Sequence, residues 1–349
     1  MLPAEANQPA RADTSGGEPA GERDTARWPR VRRFLRSLLT LLNHGFILGL
    51  IALLLAIELG SARHWLLSLL LYAPPPVFLA PLILLTPWAV LARRWHLVLG
   101  QGLAVLVVCL GYMTVRWVPW PVGKTGEELT VVTFNAGQSE GAEFNRFLAA
   151  EHPDVVLLQD ARSAVAEVHR WYPVPFRAGR DQFAILSKHP VGEPSLIMLP
   201  GAADPVAARF EVTIKGTVHA FYNVRMPTPR QQFRRFLEPS VRRELWTQRE
   251  RSAVLSEYRQ WLANRVELAR GLADVFRSEK LPFIVGGDFN HPDHGPVHRL
   301  FASQMTDCFA ESGRGWGFTF PGERKNRLSF LPPWLRLDFL YAGRGWRPV

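Results

Sequence analysis

The chain has 349 residues, with 41 lysines and arginines against 31 aspartates and glutamates, which gives a formal net charge of +10. This length allows one large domain with an attachment, or two domains. The charge alone does not establish an anionic partner, because several arginines flank apolar segments, where membrane topology accounts for them. Cys109 lies in an apolar segment far from Cys308, so we expect no disulfide between them.

The first part of the chain combines a polar tail with a long apolar region. Residues 1–26 are rich in Ala, Gly, Glu, Asp and Pro and predict a disordered tail, because they cannot bury enough apolar surface to fold. Residues 27–116 begin with a cluster of arginines and predict a transmembrane region of about three helices. The predicted spans are residues 38–57, 65–91 and 97–115.

The second predicted span contains five prolines, so it either crosses the membrane with a kink or re-enters on the same side. The first arginine cluster and Arg93-Arg94 predict cytoplasmic positions. Three crossings would place everything after Arg116 outside the cytoplasm, with the spans in an inner or plasma membrane. His44 and Glu58 lie in or beside the first span, and we interpret them as structural residues.

A predicted linker at residues 117–127 separates the apolar region from a predicted domain at residues 128–349. In this domain, short apolar runs bounded by turn residues predict strands, and amphipathic spacing predicts helices. Arg265 belongs to an arginine-rich helix, and we interpret its arginines as a solvated face. The predicted strands are 128–135, 154–159, 183–187, 207–214, 217–224, 283–285, 316–320 and 335–341, and the predicted helices are 142–151, 163–170, 243–278 and 296–302.

Residues 282–290, PFIVGGDFN, predict a buried strand that ends at two glycines and presents Asp288 and Asn290. Gly286 and Gly287 allow close approach of the backbone to a neighbour or a ligand. In extended backbone Asp288 and Asn290 point the same way, which suits a phosphate held near a divalent cation. A turn that closes a strand uses the same residue types, so other parts of the chain must decide.

Other predicted strands also carry polar residues at or near their ends. Asn135 follows VVTF, Asp160 follows VVLLQ, and Asp338 lies inside LRLDFLY. One carboxylate of this kind is usually a turn or cap residue. Several at successive strand ends indicate a site at one edge of a β-sandwich core.

The order of these motifs resembles the endonuclease/exonuclease/phosphatase family, from about residue 128 to the C-terminus. The resemblance implies a four-layer α/β sandwich, in which two mixed β-sheets pack face to face with helices outside. GDFN is the most specific piece, and the others add weight through their order and spacing. The matching pieces are VVTFNAG, DVVLLQD, FAILSKHPV, FYNVRMPTP, FIVGGDFN and WLRLDFLY.

By this resemblance, Asp160 takes the place of the family's metal-binding acid, and Asn135 that of an asparagine supporting the metal site. Asp288 takes the place of the aspartate that orients the attacking water, and Asn290 that of the amide that contacts the scissile phosphate. Asp338 falls where the family has an aspartate that braces a catalytic histidine. The implied cofactor is Mg²⁺ or Mn²⁺, which would neutralise phosphoryl charge and stabilise the leaving oxygen.

The sequence departs from the family pattern at three places. Asp160 replaces the usual glutamate and supplies its carboxylate from a shorter arm. Arg225 stands where many relatives have a phosphate-contacting histidine, and arginine cannot transfer a proton at neutral pH. The closing Ser-Asp-His motif is absent before Val349, so we expect the domain to lack its closing segment. Three histidines beside GDFN are interpreted as loop and helix residues: His291, His294 and His298.

The sequence therefore predicts a membrane-anchored, metal-dependent phosphoric ester hydrolase that acts outside the cytoplasm. Its expected partners are the membrane and a phosphate ester, with nucleic acid, phospholipid head groups and inositol phosphates all open as substrates. No protein partner is inferred. The alternative is an impaired member that serves as a non-catalytic membrane-bound binding protein; the absent histidine favours it, and the retained Asn135, Asp160, Asp288 and Asn290 oppose it.

Overall fold

The computed structural model describes residues 27–117, 126, 128–138, 142–161, 168–170, 172–237, 248–322 and 331–349. The tail predicted at residues 1–26 lies outside the described residues. So do most of the predicted linker and most of the helix predicted at residues 163–170.

The apolar segment, residues 27–117, contains two long helices with a broken stretch between them. The break falls on four of the five prolines, which lack the backbone donor that a continuous helix needs, whereas Pro87 lies inside a helix. The elements are α1 (Arg27–Gly60), α2 (Trp65–Leu70), a 3₁₀-helix (Pro75–Leu79), α3 (Leu82–Leu91), α4 (Trp95–Leu106) and a π-helix (Val107–Tyr112) that continues α4.

Within the described residues, two helical stretches are long and apolar enough to cross a membrane, by length and composition alone. They are Trp28–Gly60 and Trp95–Tyr112, and a shorter apolar stretch, Pro75–Leu91, lies between them. The first and third predicted spans thus coincide with long apolar helices. The second coincides with broken helix, and the number of crossings stays a prediction.

The sandwich domain, residues 128–349, is built on two β-sheets. The four-stranded sheet has the order β2-β3-β5-β4, and the six-stranded sheet the order β10-β12-β9-β8-β7-β6. Both are mixed, because β2–β3 and β8–β9 are parallel and the other pairs are antiparallel. The strands are β1 (Arg116–Trp117), β2 (Val131–Asn135), β3 (Val155–Gln159), β4 (Phe176–Arg180), β5 (Phe183–Ser187), β6 (Ser195–Ile197), β7 (Ala207–Ile214), β8 (Thr217–Arg225), β9 (Phe283–Asp288), β10 (Thr306–Asp307), β11 (Arg314–Gly315) and β12 (Asp338–Ala342), with β1 paired to β11 apart from both sheets.

The two sheets pack face to face through alternate residues of their strands. In β3, Val155 and Leu157 contact the other sheet, while Val156 and Leu158 face the outer helix layer. Both faces of the strand are buried, which explains its unbroken apolar sequence.

Helices cover the outer face of each sheet and complete four layers. Leu148 packs beneath the four-stranded sheet, and Phe276 and Phe301 pack on the six-stranded sheet. The predicted four-layer α/β sandwich is therefore confirmed. The helices are α5 (Ala142–Glu151), α6 (Arg230–Leu237), α7 (Gln248–Ser278), α8 (Gly295–Ala302) and α9 (Cys308–Ser312).

The strand predicted at residues 316–320 is wrong. Trp316 and Phe318 stack with 6.2 Å between ring centroids, as alternate residues of extended chain can. Among the described residues the stretch has one isolated bridge, between Phe320 and Leu335, and it joins neither sheet. Alternation of aromatic residues does not by itself supply a partner strand.

Candidate active site

Side-chain alternation places three charged residues in one row on the inner face of the six-stranded sheet. The neighbours of Arg225, Asp288 and Asp338 along β8, β9 and β12 pack against the outer helices, so these three residues face the other sheet. Arg225 pairs in register with Asp288, and Asp288 pairs with Asp338. All three lie at the same end of their strands, where the sandwich opens.

Two glycines in β9 allow neighbouring protein atoms to pack closely against the strand just before Asp288. A Cβ atom on Gly286 would lie 2.8 Å from Leu157 and 2.9 Å from Leu340. Gly287 has φ +150°, and a Cβ there would overlap the carbonyl of Val224. The close backbone approach predicted for this pair is confirmed, and the neighbours are protein atoms.

Asn135 connects the four-stranded sheet to this row. Its Nδ2 donates a hydrogen bond of 2.8 Å to Oδ2 of Asp288, and its Oδ1 accepts the backbone N–H of Gly137 at 3.1 Å. Asn135 ends β2 and Asp288 ends β9, so residues 153 positions apart meet where both strands stop.

Asn290 lies beside Asp288 in a different way from the one predicted. Its φ is +48°, so the extended backbone ends before it, and Asn is one of the residues that tolerate this region. Its backbone N–H donates to Oδ1 of Asp288 at 2.8 Å, while its side-chain Nδ2 donates to the carbonyl of Met226 at 2.8 Å. The amide therefore holds the loop after β8, and the backbone of Asn290 orients the carboxylate.

Asp160 reaches the row through an unusual backbone turn. It follows β3 with φ +52°, and Oδ2 of its carboxylate lies 3.1 Å from Nη2 of Arg225. The same guanidinium donates to Gln182, and its Nε is buried without a partner among the described residues. Two of the departures from the family pattern, Asp160 in place of a glutamate and Arg225 in place of a histidine, are therefore in direct contact.

Asp288 is buried, and Asp338 lies half-buried opposite it on the neighbouring strand. Burial and the charge of Asp288 raise the pKa of Asp338 to about 8. Burial also raises the pKa of Asp288, but hydrogen bonds from Asn135 and Asn290 and the charge of Arg225 oppose that rise. Since the charge of Asp288 is one cause of the raised pKa of Asp338, Asp288 is the member that ionises first, and Asp338 holds its proton to higher pH.

The residues around Asp160 fit a small oxygen-binding cation. A Cβ on Gly137 would overlap the carboxylate of Asp160, so glycine leaves that carboxylate room beside the Asn135 side-chain oxygen. Mg²⁺ commonly binds through one or two protein oxygens and takes its other ligands from water and substrate phosphate. Within the described ranges, no group of three or more His, Cys, Asp and Glu residues is arranged to hold a metal ion.

Arg265 supports the site and was missed as a functional residue. Interpreted as part of a solvated face, it is instead 2% exposed, and its guanidinium donates to the carbonyls of Pro227, Phe289 and Asn290. It thereby joins the loops that follow β8 and β9. The burial of Arg265 could have been predicted from the sequence, because this residue falls on the apolar stripe of α7 between Leu262 and Ala269.

The three histidines beside GDFN point away from the charged row. His291 contacts the carbonyl of Pro292, His294 that of Tyr112, and His298 the hydroxyl of Tyr341. Burial lowers the pKa values of His291 and His298, so both rings are neutral at neutral pH. These contacts agree with their interpretation as loop and helix residues.

Solved structures with a similar fold share little sequence with this chain. Humanized TDP2 from D. rerio is 16% identical over 63% of this chain and 86% of that chain, with a TM-score of 0.42. Sphingomyelinase C from Streptomyces griseocarneus is 16% identical over 64% and 87%, with a TM-score of 0.41. A β-hairpin deletion mutant of beta toxin from Staphylococcus aureus is 12% identical over 64% and 89%, with a TM-score of 0.39.

A sequence search finds no match among curated proteins. Comparison with protein families is decisive, because residues 132–349 match the Endonuclease/Exonuclease/phosphatase family. The match covers more than half of the chain and includes every strand from β3 to β12. The matched residues include both the four-layer sandwich and the polar residues at its strand ends. The chain therefore belongs to the Endonuclease/Exonuclease/phosphatase family.

Proposed function

We propose that the sandwich domain hydrolyses a phosphoric ester at the open end of its two sheets. The observation that carries this proposal is the row of Arg225, Asp288 and Asp338, met by Asn135 and Asp160 from the opposite sheet. The row supplies an ionised carboxylate, a protonated one and a guanidinium within one opening. Family membership supports a phosphoric ester hydrolase, and the metal dependence and location are further parts of the proposal.

Asp288 is the base in this mechanism. Two hydrogen bonds fix its carboxylate, one from the Asn135 side chain and one from the Asn290 backbone. It takes a proton from a water molecule as the water oxygen bonds to phosphorus and the ester P–O bond breaks. The leaving oxygen then takes a proton, and the carboxylic acid of Asp338 is the neighbouring donor.

Arg225 is the phosphate-binding residue. Its guanidinium supplies several donors at a fixed charge, so it can hold phosphoryl oxygens in place of the family's usual histidine. It cannot move a proton at neutral pH, which leaves that task to the two carboxyl groups. Asn290 orients Asp288 through its backbone. Its side-chain Nδ2 donates one N–H to Met226, which leaves the second N–H for a phosphoryl oxygen.

Asp160 and Asn135 are the residues that would hold Mg²⁺ or Mn²⁺. When bound, such an ion neutralises phosphoryl charge and stabilises the leaving oxygen. For Asp160 to serve this role, Arg225 must release its carboxylate and turn toward the phosphate. The ion pair between them is only partly buried, so this exchange costs little.

The apolar segment supports membrane anchoring. Only 17% of the most apolar window of α1 and 28% of that of α4 are buried, unlike core helices of a soluble protein. Large apolar side chains cover the outer surface of the helices. A polar pair, Asn43 and Gln101, lies between the helices and forms a hydrogen bond of 2.9 Å. The exposed apolar residues include Leu48, Leu55, Leu59, Ile83, Leu84, Leu91, Leu99, Leu103 and Leu110.

The two arginine clusters support an orientation. Leu39 packs with Leu85, Ala89 and Leu97, so the arginines before α1's apolar stretch and those between α3 and α4 lie at one end of the helices. The sandwich domain contacts the other end. Since arginines favour the cytoplasmic side, this arrangement supports a domain outside the cytoplasm.

The hydrophobic clusters support the proposed division into a membrane region at residues 27–116, a linker at 117–127 and a catalytic domain at 128–349. Two clusters use residues 39–113 only, and three clusters use residues 129–346 only. Each region therefore has its own core.

A non-catalytic binding protein is the second candidate. The observation that favours it is the contact between Asp160 and Arg225, which occupies the acid that would bind the metal and the base that would bind phosphate. In that case the domain would still bind phosphate esters but would not hydrolyse them.

One experiment separates the two candidates. The full chain in lipid nanodiscs is incubated with nucleic acid, phospholipids and inositol phosphates, with Mg²⁺ or with a chelator, and released products are measured. We expect hydrolysis of one class with Mg²⁺, and a loss of about a thousandfold in Asp288→Asn, because the base is removed. Binding without turnover in the wild type would support the binding protein.

Metal binding is measured separately by thermal unfolding. Mg²⁺ should raise the unfolding temperature of the full chain, since a ligand of the native state adds to stability. Asp160→Ala should abolish this rise. An equal rise in Asp160→Ala would show that the ion binds elsewhere.

A further inference from the structure

The loop after β9 and the start of α8 are held by the ends of the apolar helices. We call these contacts the loop clamp; its residues are Glu58, Tyr72, Tyr112 and Thr114. At the end of α1, the carboxylate of Glu58 accepts the backbone N–H of Gly295 at 2.8 Å and pairs with Arg299. Arg299 also donates to the carbonyl of Glu58 at 2.8 Å.

The second point of the clamp is the end of the π-helix. The ring of His294 stacks on that of Tyr112, with centroids 4.6 Å apart and planes 3° from parallel. His294 also contacts the carbonyl of Tyr112 through Nε2, and the hydroxyl of Thr114 donates to the carboxylate of Asp293. The loop is thus held on both sides of the helix start.

The third point reaches the active site itself. The hydroxyl of Tyr72 donates to the carbonyl of Asn290 at 2.9 Å. Arg265 donates to the same oxygen, and the N–H of Asn290 donates to Oδ1 of Asp288 at 2.8 Å. Tyr72 therefore fixes a residue whose other backbone group orients the catalytic carboxylate.

Apart from the His294–Tyr112 stack, these contacts are polar, and all of them fall on the loop after β9 and the start of α8. Among the described residues, no member of the apolar segment belongs to the three hydrophobic clusters of the sandwich domain. The domain thus has a complete core without the apolar segment, whereas its loop at residues 289–294 depends on it. Loss of a clamp bond should change the loop and leave the sheets as they are.

We propose that the apolar segment completes the active site: the loop clamp holds the loop after β9 in its working conformation, with Tyr72 as a positioning residue for Asn290 and, through it, Asp288. Without the Tyr72 hydroxyl the peptide that follows Asn290 turns more freely. This motion reaches the preceding peptide, whose N–H then leaves Asp288 part of the time. Tyr72 has no contact with substrate in this scheme, so kcat falls while KM holds. The kinetic part of this inference rests on the proposed hydrolysis.

The test compares two Tyr→Phe variants of the full chain in nanodiscs. Tyr72→Phe removes the clamp hydroxyl. Tyr258→Phe removes a hydroxyl that also joins the two regions, at 2.9 Å from Ser68, and that bonds a helix residue instead of the loop. Turnover of bis(p-nitrophenyl) phosphate with Mg²⁺ gives kcat and KM, and hydrogen exchange follows the amides of Phe289 and Asn290.

We expect Tyr72→Phe to lower kcat about three- to tenfold, as for loss of one hydrogen bond, with KM within about twofold. In Tyr72→Phe, hydrogen exchange should accelerate at the amides of Phe289 and Asn290 and should stay unchanged in β9. Tyr258→Phe should match the wild type in kcat, in KM and in exchange. Unchanged loop exchange in Tyr72→Phe overturns the inference, and so does acceleration that includes β9. If the wild type does not hydrolyse the probe, the proposed function fails on it, and exchange still decides the positioning role.

Discussion

The sandwich domain and the apolar segment use apolar side chains in opposite ways. In the domain, strands such as β3 bury both faces, and Leu157 is fully buried between the sheets. In the apolar segment, side chains such as Leu55 are more than half exposed, while the neutral pair Asn43–Gln101 lies inside. Burial from water stabilises the first region, and the exposed apolar side chains of the second support the proposed membrane surrounding.

Both regions also place polar groups inside, and here the difference is charge. The inner pair of the apolar segment is uncharged, which is what lipid surroundings permit at low cost. The inner row of the domain contains Arg225, Asp288 and Asp338, and it lies where the sheets open. Charge is therefore concentrated at the place where the proposed mechanism puts the substrate and the metal.

The largest effect is expected from matched Leu→Ala substitutions in the two regions. Leu157→Ala should lower the free energy of unfolding of the domain by about 3 to 5 kcal/mol, through lost burial and a cavity between the sheets. Leu55→Ala should change it by less than about 0.5 kcal/mol, because Leu55 is 56% exposed. Thermal and denaturant unfolding in the same nanodiscs measure both. Equal losses would show that Leu55 is a core residue, against the membrane proposal.

Charge that is buried away from the open end should matter for stability and not for turnover. Burial alone would raise the pKa of Glu279, but hydrogen bonds from Arg209, Tyr222 and the N–H of Leu281 outweigh it and lower the pKa to about 2. The stabilisation is therefore present above the ordinary glutamate pKa and is lost as the pH falls from there toward 2. Glu279 is only 8% exposed, so this contribution is on the order of 2 to 3 kcal/mol.

Glu279→Gln should remove that contribution at pH 7 and flatten the acid side of the stability curve. Glu211→Gln is the control, because Glu211 binds the same Arg209 at 2.7 Å but its side chain is half exposed. An exposed pair of this kind contributes at most about 1 kcal/mol. Urea unfolding between pH 2 and 7 tests both variants. A Glu279→Gln curve parallel to the wild type would contradict the assigned pKa.

Much of this fold could be predicted from period-two patterns, and the exceptions have identifiable causes. The strands at residues 183–187 and 207–214 were predicted to the residue, because apolar runs between turns leave little choice. The edge strands β4 and β6 were missed. β4 is exposed along most of its length and has no apolar alternation, so its pairing with β5 is a tertiary effect.

The part of the candidate site that lies on regular extended strands was predictable from the sequence. Alternation along β8, β9 and β12 brings Arg225, Asp288 and Asp338 into one row. It does not describe Asp160 or Asn290, whose positive φ values end the extended backbone and redirect their side chains. Sequence patterns predict well which residues share a strand face, but they do not predict where a single residue takes a positive φ and turns the chain. For this reason neither the contact of Asp160 with Arg225 nor the loop clamp could be inferred from them.

A smaller effect concerns charge at the open end of the domain. Arg225→Gln should free Asp160 and tighten Mg²⁺ binding about fivefold, which corresponds to about 1 kcal/mol and is the upper range for a partly exposed ion pair. Arg225→Lys keeps the competing charge and is the matched control. The Mg²⁺ concentration that gives half of the maximal thermal shift reports the affinity without any turnover. Equal affinity in both variants would show that the guanidinium does not compete for Asp160.

The smallest effect is expected inside the apolar segment. Asn43 is 1% exposed and Gln101 is 3% exposed, and they form one hydrogen bond between α1 and α4. In membrane proteins such a bond contributes about 0.6 kcal/mol on average, so each single Leu substitution should cost somewhat more than this, because it leaves a buried partner unpaired. Asn43→Leu combined with Gln101→Leu should cost less than the two singles together, since both unpaired groups are gone. Unfolding of all four proteins in micelles gives the coupling energy. Strict additivity would mean that the pair does not hold the two helices together, and the interior of the segment would then depend on packing alone.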